Sequence, residues 1–133
     1  MAQTCAIYRV RTVEAAAALI QWFWAPVAAA AVSFAYFRSS KNLRLGERLA
    51  VSAHGLSIVL VYVGALLVAA VGLSRASLLY PFWSLFLLPL GLVGFALVRF
   101  RGNGAVHLLQ LINLLSAGWS FFVGTMAVTG DWL

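Results

Sequence analysis

Gln110, Asn113, Ala117, Ser120 and Gly124 are separated by three, four, three and four residues. At 3.6 residues per turn these positions share one helix face. His107 stands beside the start of this stripe and Thr125 flanks its end. The stripe lies in an otherwise apolar run, where lipid offers amides and hydroxyls no partner. It is therefore expected to face protein or water. Two roles fit. Small residues allow close approach of helices and amides bond across them, each such bond contributing roughly 0.6–2 kcal/mol. Alternatively, the stripe lines a conduction path or a binding cavity. A softer stripe of His54, Ser57, Val61, Gly64 and Val68 has the same spacing, and Ala65 and Ala69 form a small-xxx-small pair beside it.

His54 and His107 are the two histidines of the chain. Each lies within about two turns of the same end of its helix, on helices expected to run in the same direction. On facing helices they could ligate a b-type haem axially, with Arg44, Arg48 or Arg101 near its propionates. Each imidazole could equally serve as a polar tip among the headgroups, or carry a proton-linked role near neutral pH. Neither sits in a ligand motif, so no metal and no cofactor are expected. No nucleophile with a base and an orienter, no paired acids and no phosphate-cradling glycine loop can be traced. The chain is not expected to be an enzyme.

The elements that position these residues are four apolar runs, Ala15–Phe37, Leu49–Leu73, Leu78–Val98 and Ala105–Val128, each free of Asp, Glu, Lys and Arg. A hydrocarbon core requires about 20 helical residues. The runs do not alternate polar and apolar residues as membrane strands do. Backbone groups in lipid must be satisfied within each segment, so all four are expected to be helices. The links are short, which favours antiparallel neighbours. The expected fold is an all-α integral membrane protein, one domain spanning residues 1–133, with four transmembrane helices in an up-down bundle.

Composition agrees. Of 133 residues, 64% are hydrophobic and 9% charged, against about 45–50% and 25% in soluble domains. The net charge is +6, but the basic residues crowd the links, as topology signals do. Nucleic acid is not an expected partner; the lipid bilayer is. Cys5 is the single cysteine, so an intrachain disulfide is impossible. The N-terminus lacks the layout of a cleaved signal, so the first run is expected to be retained as a span.

Arg38, Lys41, Arg44 and Arg48 in the first link, with Arg99 and Arg101 in the third, place six basic residues on one side against Arg9, Arg11 and Arg75 on the other. The positive-inside rule then puts both basic loops in the cytoplasm and both termini outside, in a bacterial cytoplasmic membrane. Under this topology Trp22, Trp24, Trp83, Trp119 and Trp132 fall toward the outer face. Glu14 and Glu47 open helices, where the dipole favours a carboxylate. Pro26 and Pro89 are expected to kink their helices, whereas Pro81 is near a helix start, where proline is tolerated.

A weak internal repeat is also visible. Phe23-Trp24 recurs as Phe82-Trp83, and Leu56-Ser57 as Leu115-Ser116, at offsets of 59 residues. A duplicated helical hairpin would produce this, and such repeats are common in transporters. The leading functional expectation is a non-catalytic subunit of a homo-oligomeric or larger membrane complex, with copies of itself or other membrane subunits as partners. The alternatives are an oligomeric channel or transporter lined by the polar stripe, and a haem-binding anchor for electron transfer through His54 and His107.

Overall fold

The computed structural model describes Ala17, residues 20–73 and residues 75–130. Cys5, Arg9, Arg11, Glu14, Asp131, Trp132 and the start of the first run lie outside the described residues. The helices delimited among the described residues are, in order, α1 Trp24–Ser39, α2 Leu45–Ala70, α3 Leu79–Leu85, α4 Leu87–Arg99 and α5 Gly104–Thr129, with a 3-10 turn at Ala76–Leu78 leading into α3. No strand occurs among the described residues.

Helix ends follow local chemistry. The backbone N–H of Arg44 donates to Glu47 Oε2 at 3.4 Å, so α2 starts at Leu45, four residues ahead of the expected Leu49. The Asn103 side chain accepts from the Ala105 and Val106 N–H groups at 3.1 and 3.3 Å, capping α5. Gly130, at φ 78°, ends α5 in the left-handed conformation that glycine adopts without a Cβ penalty.

The expected single helix over Leu78–Val98 is in fact two, broken at Phe86. Pro89 has no N–H to donate to the Leu85 carbonyl, and its ring crowds that carbonyl. The chain turns at Phe86 (φ −73°, ψ −13°), and α4 restarts with Pro89 in its first turn. Pro26 has the same relation to Phe23, which precedes α1 at φ −66° and ψ −15°. Both prolines therefore sit in first turns and not in helix interiors as expected, and each break falls three residues upstream of the ring.

Three segments are long and apolar enough to cross a membrane: Leu45–Ala70, Ala76–Arg99 and Gly104–Thr129. α1 has 16 residues, which at 1.5 Å per residue is about 24 Å, short of a core about 30 Å thick. The surface is inverted relative to a soluble protein. Leu60 is 63% exposed and Leu115 68%, while His54 and Asn113 are at 0%. Lipid solvates the leucines, and the interior satisfies the polar groups.

α2 is the central helix, packed against α1, α4 and α5. The first hairpin, α1 with α2, is closely paired, whereas α4 and α5 touch each other less than either touches α2. The two hairpins are thus unequal in packing. Val51, Ala96, Val106 and Leu109 form an apolar layer at the basic-loop end. Ala29, Ile58 and Ala117 form the middle layer, and Tyr62, Ala69, Val123 and Ala127 a layer at the far end. Phe82 and Phe86 pack with Val61, Ala65 and Val128 on the side covered by α3.

Candidate functional site

Between the first two apolar layers lies a layer of polar side chains. His54 of α2 and Gln110 of α5 meet with Nδ1 and Oε1 2.6 Å apart. Gln110 is an acceptor here, so the imidazole donates through Nδ1–H. The amide nitrogen of Gln110 then donates to the Val51 carbonyl at 3.4 Å. One turn further along α5, the Asn113 amide donates to Ser33 Oγ of α1 at 3.1 Å. Ser116 adds a hydroxyl bond to the Ala25 carbonyl, 2.7 Å long. The polar face of α5 thus ties it to α2 and α1 by hydrogen bonds, between the apolar layers that also join these helices. Removing lipid-exposed amides and hydroxyls into mutual bonds satisfies groups that would each cost several kcal/mol unpaired in hydrocarbon.

The sequence stripe is thus distributed unevenly. Gln110, Asn113 and Ser120 are buried on one face, as their spacing requires. Gly124 continues that face and receives the ring of Phe82. Ser57 instead donates to the His54 carbonyl of its own helix at 2.7 Å. His107 is half-buried, with Nε2 3.0 Å from the Arg101 carbonyl just before α5. The two imidazoles consequently serve different partners. A haem between them would have to take His107 from that carbonyl and enter the closed layer around His54. Among the described residues no group of three His, Cys, Asp or Glu is placed to hold a metal ion.

Ser33, Ser116, Gly55 and Phe82 were not among the site residues expected from the sequence, where Ser116 and Phe82 stood out only as members of the weak repeat. Ser116 lies three residues after Asn113 and four before Ser120, so the spacing that found the stripe also includes it. Gly55 lets α2 approach α1: a Cβ there would strike the Ala29 carbonyl and the Ser33 side chain. His54 Nε2 and Ser120 Oγ are enclosed without a hydrogen-bond partner among the described residues.

The two ends of the bundle differ. Glu47 Oε1 accepts from Arg99 at 3.1 Å, joining the start of α2 to the end of α4. Arg38, Lys41, Arg44, Arg48, Arg99 and Arg101 therefore gather at one end, as counted in the sequence. Arg48 donates through Nε to the Phe37 carbonyl at 3.0 Å. The opposite end carries the described tryptophans, Trp22, Trp24, Trp83 and Trp119. Trp22 and Trp119 are stacked edge-on at 5.0 Å, and Trp83 donates to Thr125 Oγ1 at 3.1 Å.

Grooves open on the lipid-facing surface of the described residues, among them a shallow one on α4 lined by Gly94, Phe95, Val98 and Arg99 and two that lie along α2. Of the two along α2, one of about 440 Å³ lies between α1 and α2 and one of about 390 Å³ between α2 and α3; none of the three is lined by His54 or His107. The chain matches no family model, no curated protein and no solved structure.

Proposed function

We propose that this chain is a non-catalytic subunit of a membrane assembly, built from copies of itself or from other membrane proteins. It would span the bilayer four times, with the run before α1 completing the first span. The basic end would be cytoplasmic and both termini outside, as the Lys/Arg distribution favours. The observation that carries the reading is the closure of the polar stripe. Gln110 and Asn113 are consumed in bonds to His54, Val51 and Ser33, leaving an exterior suited to lipid and to neighbouring helices.

The face offered to a neighbour is on α4. The segment Ala76–Arg99 is the least buried of the three long ones, at 28% against 44% for the others. A Cβ at Gly91 or Gly94 would meet no described residue within 4 Å. Glycine within a helix costs roughly 0.5–1 kcal/mol relative to alanine, and close approach of a helix from another subunit offsets that cost. Native mass measurement in mild detergent tests the proposal. An assembly of fixed stoichiometry is expected, dispersed by Gly91→Leu/Gly94→Leu with the fold intact. A stable, uniform monomer would refute it.

One feature favours a second reading, an oligomeric channel or transporter. His54 Nε2 and Ser120 Oγ are enclosed polar atoms without a protein partner, and such groups are commonly met by water. Solute flux into proteoliposomes, lost in Asn113→Leu, would support transport. Absence of flux for every ion and small solute tried would remove it.

A further inference from the structure

The outward groove between α1 and α2 has rings and aliphatic chains for walls, among them Phe34, Phe37, Leu49, Ala53 and Leu56. It runs from Phe37, beside the basic link, down to Ala30. Seven residues at 1.5 Å make this about 10 Å of depth into the bilayer. Its volume of about 440 Å³ falls within the roughly 300–1,000 Å³ of small-molecule sites.

Charge is concentrated at its mouth. The Arg38 guanidinium lies over the Phe34 ring, 5.9 Å from its centroid, and that of Arg48 over Phe37 at 4.4 Å. Both groove-lining rings are thus topped by cations. Lys41 and Arg44 are exposed in the same link. The nearby acidic group, Glu47, is engaged by Arg99 and by the Arg44 backbone N–H. Arg38, Lys41 and the Arg44 side chain form no ion pair with a described residue. An apolar slot ending in unpaired cations at headgroup level complements a molecule with an anionic head and an aliphatic tail.

We propose that this groove seats one anionic glycerophospholipid. Its phosphodiester meets Arg38, Lys41 and Arg44, and one acyl chain lies along Phe34, Ala53 and Leu56. The site is separate from the α4 face, and its occupancy does not depend on the assembly proposed above.

The test uses the purified full chain, delipidated in mild detergent. It is titrated with phosphatidylglycerol, phosphatidylcholine or inorganic phosphate, and bound molecules are counted by native mass spectrometry. One phosphatidylglycerol per chain is expected to bind ahead of any second, with phosphatidylcholine weaker and inorganic phosphate not competing. Arg38→Gln/Arg44→Gln is expected to weaken the first phosphatidylglycerol by roughly 25-fold, at about fivefold per basic residue. Ala53→Trp fills the slot and is expected to block it. If Ala53→Trp loses helical signal, Leu56→Trp at the exposed wall replaces it. Equal uptake of the two lipids would overturn the proposal, as would unchanged binding in the charge variant. Competition by inorganic phosphate would assign the cations to a free anion. Loss of a dimer in Ala53→Trp with lipid uptake unchanged would assign the groove to a second copy. Either result also overturns it.

Discussion

The ring of Phe82, on α3, rests on the backbone of Gly124, on α5, and a methyl group at position 124 would come well inside van der Waals contact distance of ring Cζ. Phe82 is buried and packs edge-on against Phe86 at 5.3 Å, so the ring has little room to retreat. Gly124→Ala is expected to lose about 1–3 kcal/mol of stability through overpacking. That outweighs a helix-propensity gain of about 0.8–1 kcal/mol. Thermal unfolding in mild detergent reads the sign.

Two glycines of α2 should respond oppositely to the same change. At Gly55 the obstruction includes the Ala29 backbone carbonyl, which cannot rotate away, whereas Gly64 faces open space. Gly55→Ala is expected to be the most damaging glycine substitution in the chain, prising α1 from α2. Gly64→Ala is expected to be neutral or stabilising by up to about 1 kcal/mol. Equal midpoints for the two variants would contradict the close approach of these helices.

His54 and Gln110 form a pair in which losing one member is worse than losing both. Gln110→Leu strands the imidazole Nδ1–H, at a cost of about 1–3 kcal/mol. The double variant His54→Leu/Gln110→Leu removes both polar groups at similar volume and should recover part of that loss. A double-mutant cycle by unfolding measures the coupling, expected at roughly 0.6–2 kcal/mol.

The ion pair between Glu47 and Arg99 is expected to contribute little. The Arg99 side chain is 61% exposed, and exposed pairs typically add about 0–1 kcal/mol. Glu47→Gln should leave the melting midpoint within a few degrees of wild type. A large loss would show that the pair is shielded from water in the membrane.

The arrangement of the links is open to labelling. With Cys5→Ala as background, single cysteines at Ser39 and Gly102 are expected to react with an impermeant maleimide from one common side, and one at Gly130 from the other. In intact cells only Gly130→Cys should react if the basic end is cytoplasmic. Labelling of Ser39 and Gly102 from opposite sides would break the antiparallel arrangement.

Much of this was legible in the residues. The helical period placed Gln110, Asn113, Ser120 and Gly124 on one face because an interior helix face must collect its polar groups at that spacing. The gathering of the basic links followed from short connections. What period analysis could not supply were the partners. Nothing near Ser33 marks it as the receiver of Asn113, since that contact joins residues far apart in the chain. His54 and Ser57 look alike by spacing, yet one reaches across to Gln110 and the other folds back on its own helix. The break at Phe86 was displaced from its cause: a proline disrupts the turn preceding its ring, so Pro89 marks a helix start, not a bend at itself. Similarly, Glu47 is inside α2 because the Arg44 N–H bond draws the helix start backward.

The layer formed by His54, Gln110, Asn113 and Ser33 has a mechanical consequence. Leucines on a lipid-facing helix are interchangeable, so an apolar bundle could slide by one turn at little cost. Here a slip of one turn, about 5.4 Å, would separate all four side chains from their partners together. The layer acts as a detent. It leaves α5 a single docked height against α1 and α2, so relative motion of these helices must proceed by parting and re-engaging, not by gliding.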